Sequence, residues 1–340
     1  MEGNHSVNPV LELSMKKNLI ALAVLAASTG AMAQSSVTIY GRIDLSVGAE
    51  KNLGEKSKTQ LFNGGAGGLT TSRLGFIGTE DLGGGLKAKF KLEQRINADT
   101  GEVQSPSFKA ETSVGLSGGF GAFKLGRFTT VYDDVYALAN SNNVFDSAFT
   151  ASANGVYKSG GDYASRFNDQ IRYETPSMGG FYAGLNYAFE QTSGEKDTMT
   201  GFKAGYKNGP VNVGLGYQNE KGSANKYTAI SGAYDLGVAA LSAGYNNRKG
   251  SDANGKDNEF TLGVTVPFGA FKVSAGFASS KTTIGGNPAA NASGFALGAT
   301  YALSKRTRVY AGLRDFTVED GAGVKTKDNS LYAMGLRHDF

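Results

Sequence analysis

The amino-acid sequence predicts an all-β protein: sixteen antiparallel strands closed into a transmembrane β-barrel. Three observations carry that reading. Apolar and polar residues alternate with period two in segments of about ten residues, separated by Gly, Asn, Asp and Ser clusters. The connections between segments alternate in length, short then long. The last segment runs in strand alternation to the final residue, Phe340.

The N-terminal region is set apart from the barrel. Met15-Lys16-Lys17, the apolar run Leu19–Ala27 and the small-residue site Ala31-Met32-Ala33 make a secretory signal peptide over 15–33, cleaved after Ala33. The apolar run is about half the ~20 residues a spanning helix needs. Residues 1–14 form an upstream extension with no evident role. Residues 34–340 are expected to form a single barrel domain.

In the first segment Val37, Ile39, Gly41, Ile43, Leu45 and Val47 share one face, and Thr38, Tyr40, Arg42, Asp44 and Ser46 the other. Next, Leu74 and Phe76 oppose Arg73 and Gly75. Then Leu86, Ala88, Phe90 and Leu92 oppose Lys87, Lys89, Lys91, Glu93 and Arg95. Later segments repeat the pattern, as in Phe181–Phe189, Val211–Tyr217, Phe260–Val266, Phe271–Phe277 and Phe295–Tyr301. Residues 226–235 fit either parity. Short turns are expected at 81–85, 118–122, 176–180, 207–210, 235–238, 267–270 and 304–307. Long loops are expected at 49–70, 97–109, 131–168, 190–200, 219–226, 246–258, 279–293 and 317–329. Short turns on one side and long loops on the other are the signature of an outer-membrane barrel.

A soluble β-sandwich would also alternate, but sixteen strands would divide into two domains, and no linker divides this chain. In lipid every backbone polar group needs a partner, so the sheet must close. At about sixteen strands the closed sheet is too wide for side chains to fill, and the lumen holds water.

Composition narrows the function. A net charge of +4, spread along the chain, lacks the concentrated basic footprint of a nucleic-acid binder. There is no cysteine, and the 49 glycines against 6 prolines suit tight turns and close strand contacts. The two histidines are His5, before the cleavage site, and His338, on the apolar face of the last segment. Metalloprotease, phosphate-loop and nucleophile-elbow motifs are absent, so neither an enzyme nor a cofactor is expected. Inward charges are the informative residues: Arg42, Arg73 and the row Lys87, Lys89, Lys91 and Arg95. The longest loop brings candidate acids, Asp133, Asp134 and Asp146. Opposed rows of fixed charge would set a transverse field across a narrow throat.

Tyr40–Asp44, Ser72–Ala88 and Gly121–Arg127 together with the terminal phenylalanine resemble the trimeric general porins of Gram-negative bacteria, nearest their β-proteobacterial branch. The resemblance implies a homotrimer in contact with outer-membrane lipid and lipopolysaccharide, and a third loop folded inward to narrow the pore. By position, it implies a basic cluster of Arg42, Arg73, Arg127 and Arg166, which the inward row extends to Arg95, facing acids on that loop. Strand parity alone turns Arg127 outward with Phe123 and Leu125, and a bulge at Gly126 would resolve the conflict. The Pro-Glu-Phe-Gly motif of enteric porins is missing; Asn143–Ser147 stands in its place, with Asp146 as the acid. The expected function is passive diffusion of small polar solutes and ions with mild anion preference. Two rivals are a solute-specific channel, which would show an aromatic track where only Tyr40 and Tyr182 point inward, and a plugged surface scaffold or adhesin.

Overall fold

The computed structural model describes residues 36–65, 67–140, 150, 156, 163–190, 197–250 and 255–340. The expected signal peptide and Asp146 lie outside them. Sixteen strands make the wall. The first eight are β1 Ser36–Asn52, β2 Arg73–Gly83, β3 Leu86–Asn97, β4 Glu111–Gly118, β5 Gly121–Thr129, β6 Arg166–Glu174, β7 Phe181–Ala188 and β8 Met199–Asn208. The rest are β9 Val211–Glu220, β10 Asn225–Asp235, β11 Ala240–Lys249, β12 Lys256–Phe268, β13 Phe271–Ile284, β14 Asn287–Ala302, β15 Thr307–Asp320 and β16 Lys325–Asp339. Two short strands, Lys58–Asn63 and Glu102–Val103, belong to loops. One helix among the described residues, α1 Val131–Leu138, follows β5.

Every barrel strand pairs antiparallel with its sequence neighbours, and β1 pairs with β16 from Arg42↔Asp339 to Asn52↔Asn329. Gly41 and Phe340 exchange both backbone hydrogen bonds at 3.0 Å, so the last residue completes the seam. Closure leaves the wall without the unpaired edge that would be untenable in lipid.

Parity sorts the side chains as expected. Val37, Ile39, Val47, Leu185, Ile230, Leu262, Phe295, Leu297 and Met334 are exposed on the outside, whereas Asp44, Ser46, Gln170 and Gln218 are buried on the inside. Such a continuous apolar surface suits lipid contact and is far larger than water-soluble monomers tolerate. Aromatic pairs mark both rims. Phe181–Tyr206 at 4.8 Å and Phe271–Tyr301 at 4.4 Å lie by the short turns, and Tyr187–Phe189 at 5.1 Å by the loops. In β10, Ile230 faces out while Tyr227 and Ala229 are buried inside, which settles the ambiguous parity.

Several expected loops are strand instead. The 279–293 segment is the top of a hairpin in which β13 and β14 meet at Gly285-Gly286, both with positive φ. Four residues each separate β9 from β10 and β15 from β16, where 219–226 and 317–329 were expected to be long. These ends stand above the membrane. There both faces are polar, so the alternation that marks a strand in lipid fades although the hydrogen-bonded ladder continues.

Candidate pore constriction

Cross-strand register assembles the first group of charges. Arg42 pairs with Arg73 and Arg73 with Arg95, which puts three guanidinium groups at one level on β1, β2 and β3. Arg42 Nε lies 3.2 Å from an Asp339 carboxylate oxygen across the seam. Arg73 donates to Glu93 Oε1 at 3.2 Å, Thr70 Oγ1 at 3.0 Å and the Thr71 carbonyl at 3.2 Å. Arg95 is crowded by like charge from Arg166, Arg73 and Arg127, and its buried Nε has no partner among the described residues.

Arg127 and Arg166 reach the chain entering β4: Arg127 Nε donates to the Lys109 carbonyl at 2.8 Å and Arg166 Nε to the Ala110 carbonyl at 2.9 Å. Arg127 also donates to Asn168 Oδ1 at 2.6 Å. The expected irregularity is present but differently built. Register slips between Gly126 and Phe128 of β5, while β6 passes from Gln170 to Phe167, so the extra residue sits in β6 at Asn168–Asp169. Asp169 takes the left-handed φ of 50° that such a bulge needs, and Gly126 has φ 125°.

The loop after β5 turns into the barrel. Thr130 caps α1 by accepting from the Asp133 N–H at 3.2 Å, and Asp133 and Asp134 occupy the first turn, where the helix dipole favours acids. The helix lies against the inner faces of β8 and β9, which carry glycine at the points of contact. A β-carbon built at Gly216 would sit 3.1 Å from Val135 Cβ and 3.3 Å from Tyr132 Cδ2; one at Gly201 would sit 3.2 Å from Val131 Cγ2. Val156, fully buried, reaches the inner face of β14 at Gly294. Tyr132, Tyr136 and Tyr163 of the loop pack with Tyr227 of β10 into one buried aromatic cluster.

Asp133 and Asp134 do not stand free opposite the arginines of β1–β3, as the sequence suggested. Asp134 is ion-paired to Arg172 of β6 and to Lys203 of β8, the latter at 2.7 Å, and both cations also hold Glu174. Asp133 accepts from the Tyr163 hydroxyl at 2.7 Å, and burial beside that carboxylate pushes the Tyr163 phenol well above its usual range. Asp134 thus ties the loop to the wall through one arginine and one lysine head, whereas Asp133 accepts from a tyrosine of its own loop. Asp134 keeps about a third of its side chain exposed, so the cluster still faces water. Arg172 and Lys203 escaped the sequence reading, although parity with Gln170 and Gly201 marks both as inward. Tyr227 and Tyr310 also point inward beyond Tyr40 and Tyr182, but both are buried under loops.

A second segment also folds inward. Gly67–Ser72, from the loop after β1, lies on the lumen face of β1: Ser46 Oγ donates to the Gly67 carbonyl at 2.8 Å, and Thr70 N–H to Asp44 Oδ2 at 2.9 Å. Leu69 is buried there with Tyr310, Ala296, Leu331 and Ala333.

Comparison with known proteins decides the family. The family model described as Gram-negative porin matches residues 21–321. Outer membrane porin protein 32 of Delftia acidovorans is 36% identical over 350 residues, covering 95% of each chain. The chain belongs to the Gram-negative porin family. An outer membrane porin protein of Bordetella pertussis is 29% identical to it and covers 96% of this chain and 100% of its own. Among solved structures, an anion-selective porin from Comamonas acidovorans superposes with a TM-score of 0.75 at 31% identity, over 90% of this chain and all of that one. The porin thus sits in the outer membrane.

Proposed function

We propose that this porin is a passive diffusion channel for small hydrophilic solutes and ions with a mild preference for anions. The observation that carries the preference is the arginine level on β1–β3, where Arg95 has Arg73, Arg127 and Arg166 for neighbours against the carboxylate of Glu93. A fixed cationic band with incomplete carboxylate compensation raises the local concentration of anions in a low-dielectric throat. The similar porin from Comamonas acidovorans is described as anion-selective, which agrees with this reading. In this reading Arg42, Arg73, Arg95, Arg127 and Arg166 form the basic side of the constriction. Asp133 and Asp134 contribute through α1, with Asp146 further along the same loop. Homotrimeric assembly and contact with lipopolysaccharide are part of the reading through the family resemblance.

Reversal potentials across a planar bilayer under a salt gradient test the central claim. The expected sign is that of anion preference, and Arg42→Glu or Arg73→Glu moves it toward cations. Cation preference of the unaltered protein, or no movement in either variant, overturns it. Crosslinking in detergent that yields a three-chain band, and not a monomer alone, supports the trimer.

A further inference from the structure

Asp44 is a charged residue that ions in the pore do not reach. It is 0% exposed, on the lumen face of β1, two positions from Arg42. Its partners are all structural. Asp44 Oδ2 accepts from Thr70 N–H at 2.9 Å and Oδ1 from the Tyr310 hydroxyl at 2.5 Å. Its own N–H donates to Ser72 Oγ at 3.0 Å, and its carbonyl accepts from Gly64 N–H at 2.9 Å. One residue therefore ties down both Gly64 and the inward segment Gly67–Ser72. Glycine is demanded along it, since a β-carbon at Gly68 would lie 2.7 Å from Asp44 Oδ1 and one at Gly67 2.4 Å from Phe62 Cγ.

The far side of that segment holds Arg73. Thr70 Oγ1 and the Thr71 carbonyl take Arg73 Nη2 and Nε, leaving Nη1 for Glu93, whose other oxygen is held by the Tyr40 hydroxyl at 2.7 Å. Each guanidinium nitrogen has its own acceptor, and two of the three belong to the segment that Asp44 anchors. We infer that Asp44 is a positioning residue for selectivity: through Thr70 and Thr71 it holds the Arg73 guanidinium out from the wall, against the pull of Glu93. This rests on the reading of Arg73 as part of the anion-favouring band.

The consequence differs from that of a plain wall charge. Without the Thr70 acceptor, Arg73 keeps Glu93 as its strongest partner and settles against it. Moving a unit charge from about 4 to about 8 Å from a passing ion weakens their interaction in water by about 0.5 kcal/mol, which is about twofold in a partition ratio. Thr70→Val, which alters no charge, is therefore expected to lower the anion-over-cation permeability ratio about twofold. Asp44→Asn removes a negative charge, which by itself would raise that ratio. If Asp44 acts by positioning, its effect couples to Arg73, so the changes in the logarithm of the ratio for Asp44→Asn and Arg73→Gln are non-additive in the double variant.

The experiment is reversal-potential measurement on the refolded full-length protein carrying Thr70→Val, Asp44→Asn, Arg73→Gln and the pairs with Arg73→Gln, using potassium chloride. Each variant is checked for heat-modifiable migration, so that only folded barrels are compared. The inference stands if Thr70→Val lowers the ratio in the native background and has no effect with Arg73→Gln. It is overturned if Thr70→Val leaves the ratio unchanged, or if Asp44→Asn and Arg73→Gln add, while Arg73→Gln alone still shifts selectivity. Should Asp44→Asn barrels fail to fold, the Thr70→Val pair decides alone. No shift with Arg73→Gln alone would instead remove Arg73 from the permeation path, which is a failure of the underlying reading.

Discussion

Two arcs of the same wall obey one parity rule and do opposite things. On β1–β3 the inward positions carry Arg42, Arg73, Lys87, Lys89, Lys91 and Arg95. On β8–β10 and β13–β14 they include, beside Lys203 and Glu220, the small residues Gly201, Gly214, Gly216, Ala229, Ala278, Ala292 and Gly294. Long charged side chains reach into water and need it to remain charged. Small residues have nothing to reach with, and their flat surface is filled by α1, Val156 and Tyr163. On this arc small inward residues leave room for the loop, and the pore's asymmetry follows in part from which arc received them.

The contrast can be broken most severely at the glycine bed. Gly216→Phe places a ring where α1 lies, an overpacking of about 1–3 kcal/mol that lifts the helix off the wall. Larger single-channel conductance and faster proteolysis within 131–163 are the expected outcome. Unchanged conductance would mean the bed does not hold the loop in place.

The ion cluster that joins the arcs comes next. Arg172→Met leaves Asp134 and Glu174 with Lys203 as their remaining cation. Both acids are about one-third exposed, which discounts the 3–5 kcal/mol of a fully buried broken pair to about 1–2 kcal/mol. A lower heat-modification temperature in detergent is expected, with larger current noise as the loop end loosens.

Equal charge changes on the two arcs sharpen the comparison. Arg95→Gln removes one unit of charge at a crowded cationic site, and about a fivefold fall in the anion-over-cation ratio is expected at low salt. Ser242→Glu on β11, in the wall beside β10, adds one negative charge away from that site and should move the ratio less than twofold. Equal shifts would show that the whole lumen, and not one arc, sets selectivity.

The smallest effect is expected at the turn end. Lys87 and Lys89 are exposed and sit far along β3 from Arg95. Lys87→Gln should lower anion conductance slightly at 0.01 M salt, where the Debye length is about 30 Å, and not at 1 M, where it is about 3 Å.

Sequence alone determined the barrel. Alternation in β1, β9, β12 and β14 identified strand and outward face together, because lipid on one side and water on the other act on every second residue. Alternation over Tyr332–Leu336 marked another strand for the same reason, and Arg42, Arg73 and Arg95 were visible as inward by parity. Strand ends above the membrane, such as Ser280–Ile284, were not visible, since polar surroundings on both faces erase the alternation that a backbone ladder does not need. Register was hidden too: that Arg42, Arg73 and Arg95 share a level follows from Arg42↔Arg73 and Arg73↔Arg95, which depend on where hairpins slip. The partners of Asp134, namely Arg172 and Lys203, are 38 and 69 residues away, and Asp44 meets Tyr310 across 266. Only closing the sheet brings such residues within ångströms. Period two says which way a side chain points, and three-dimensional closure says what it meets there.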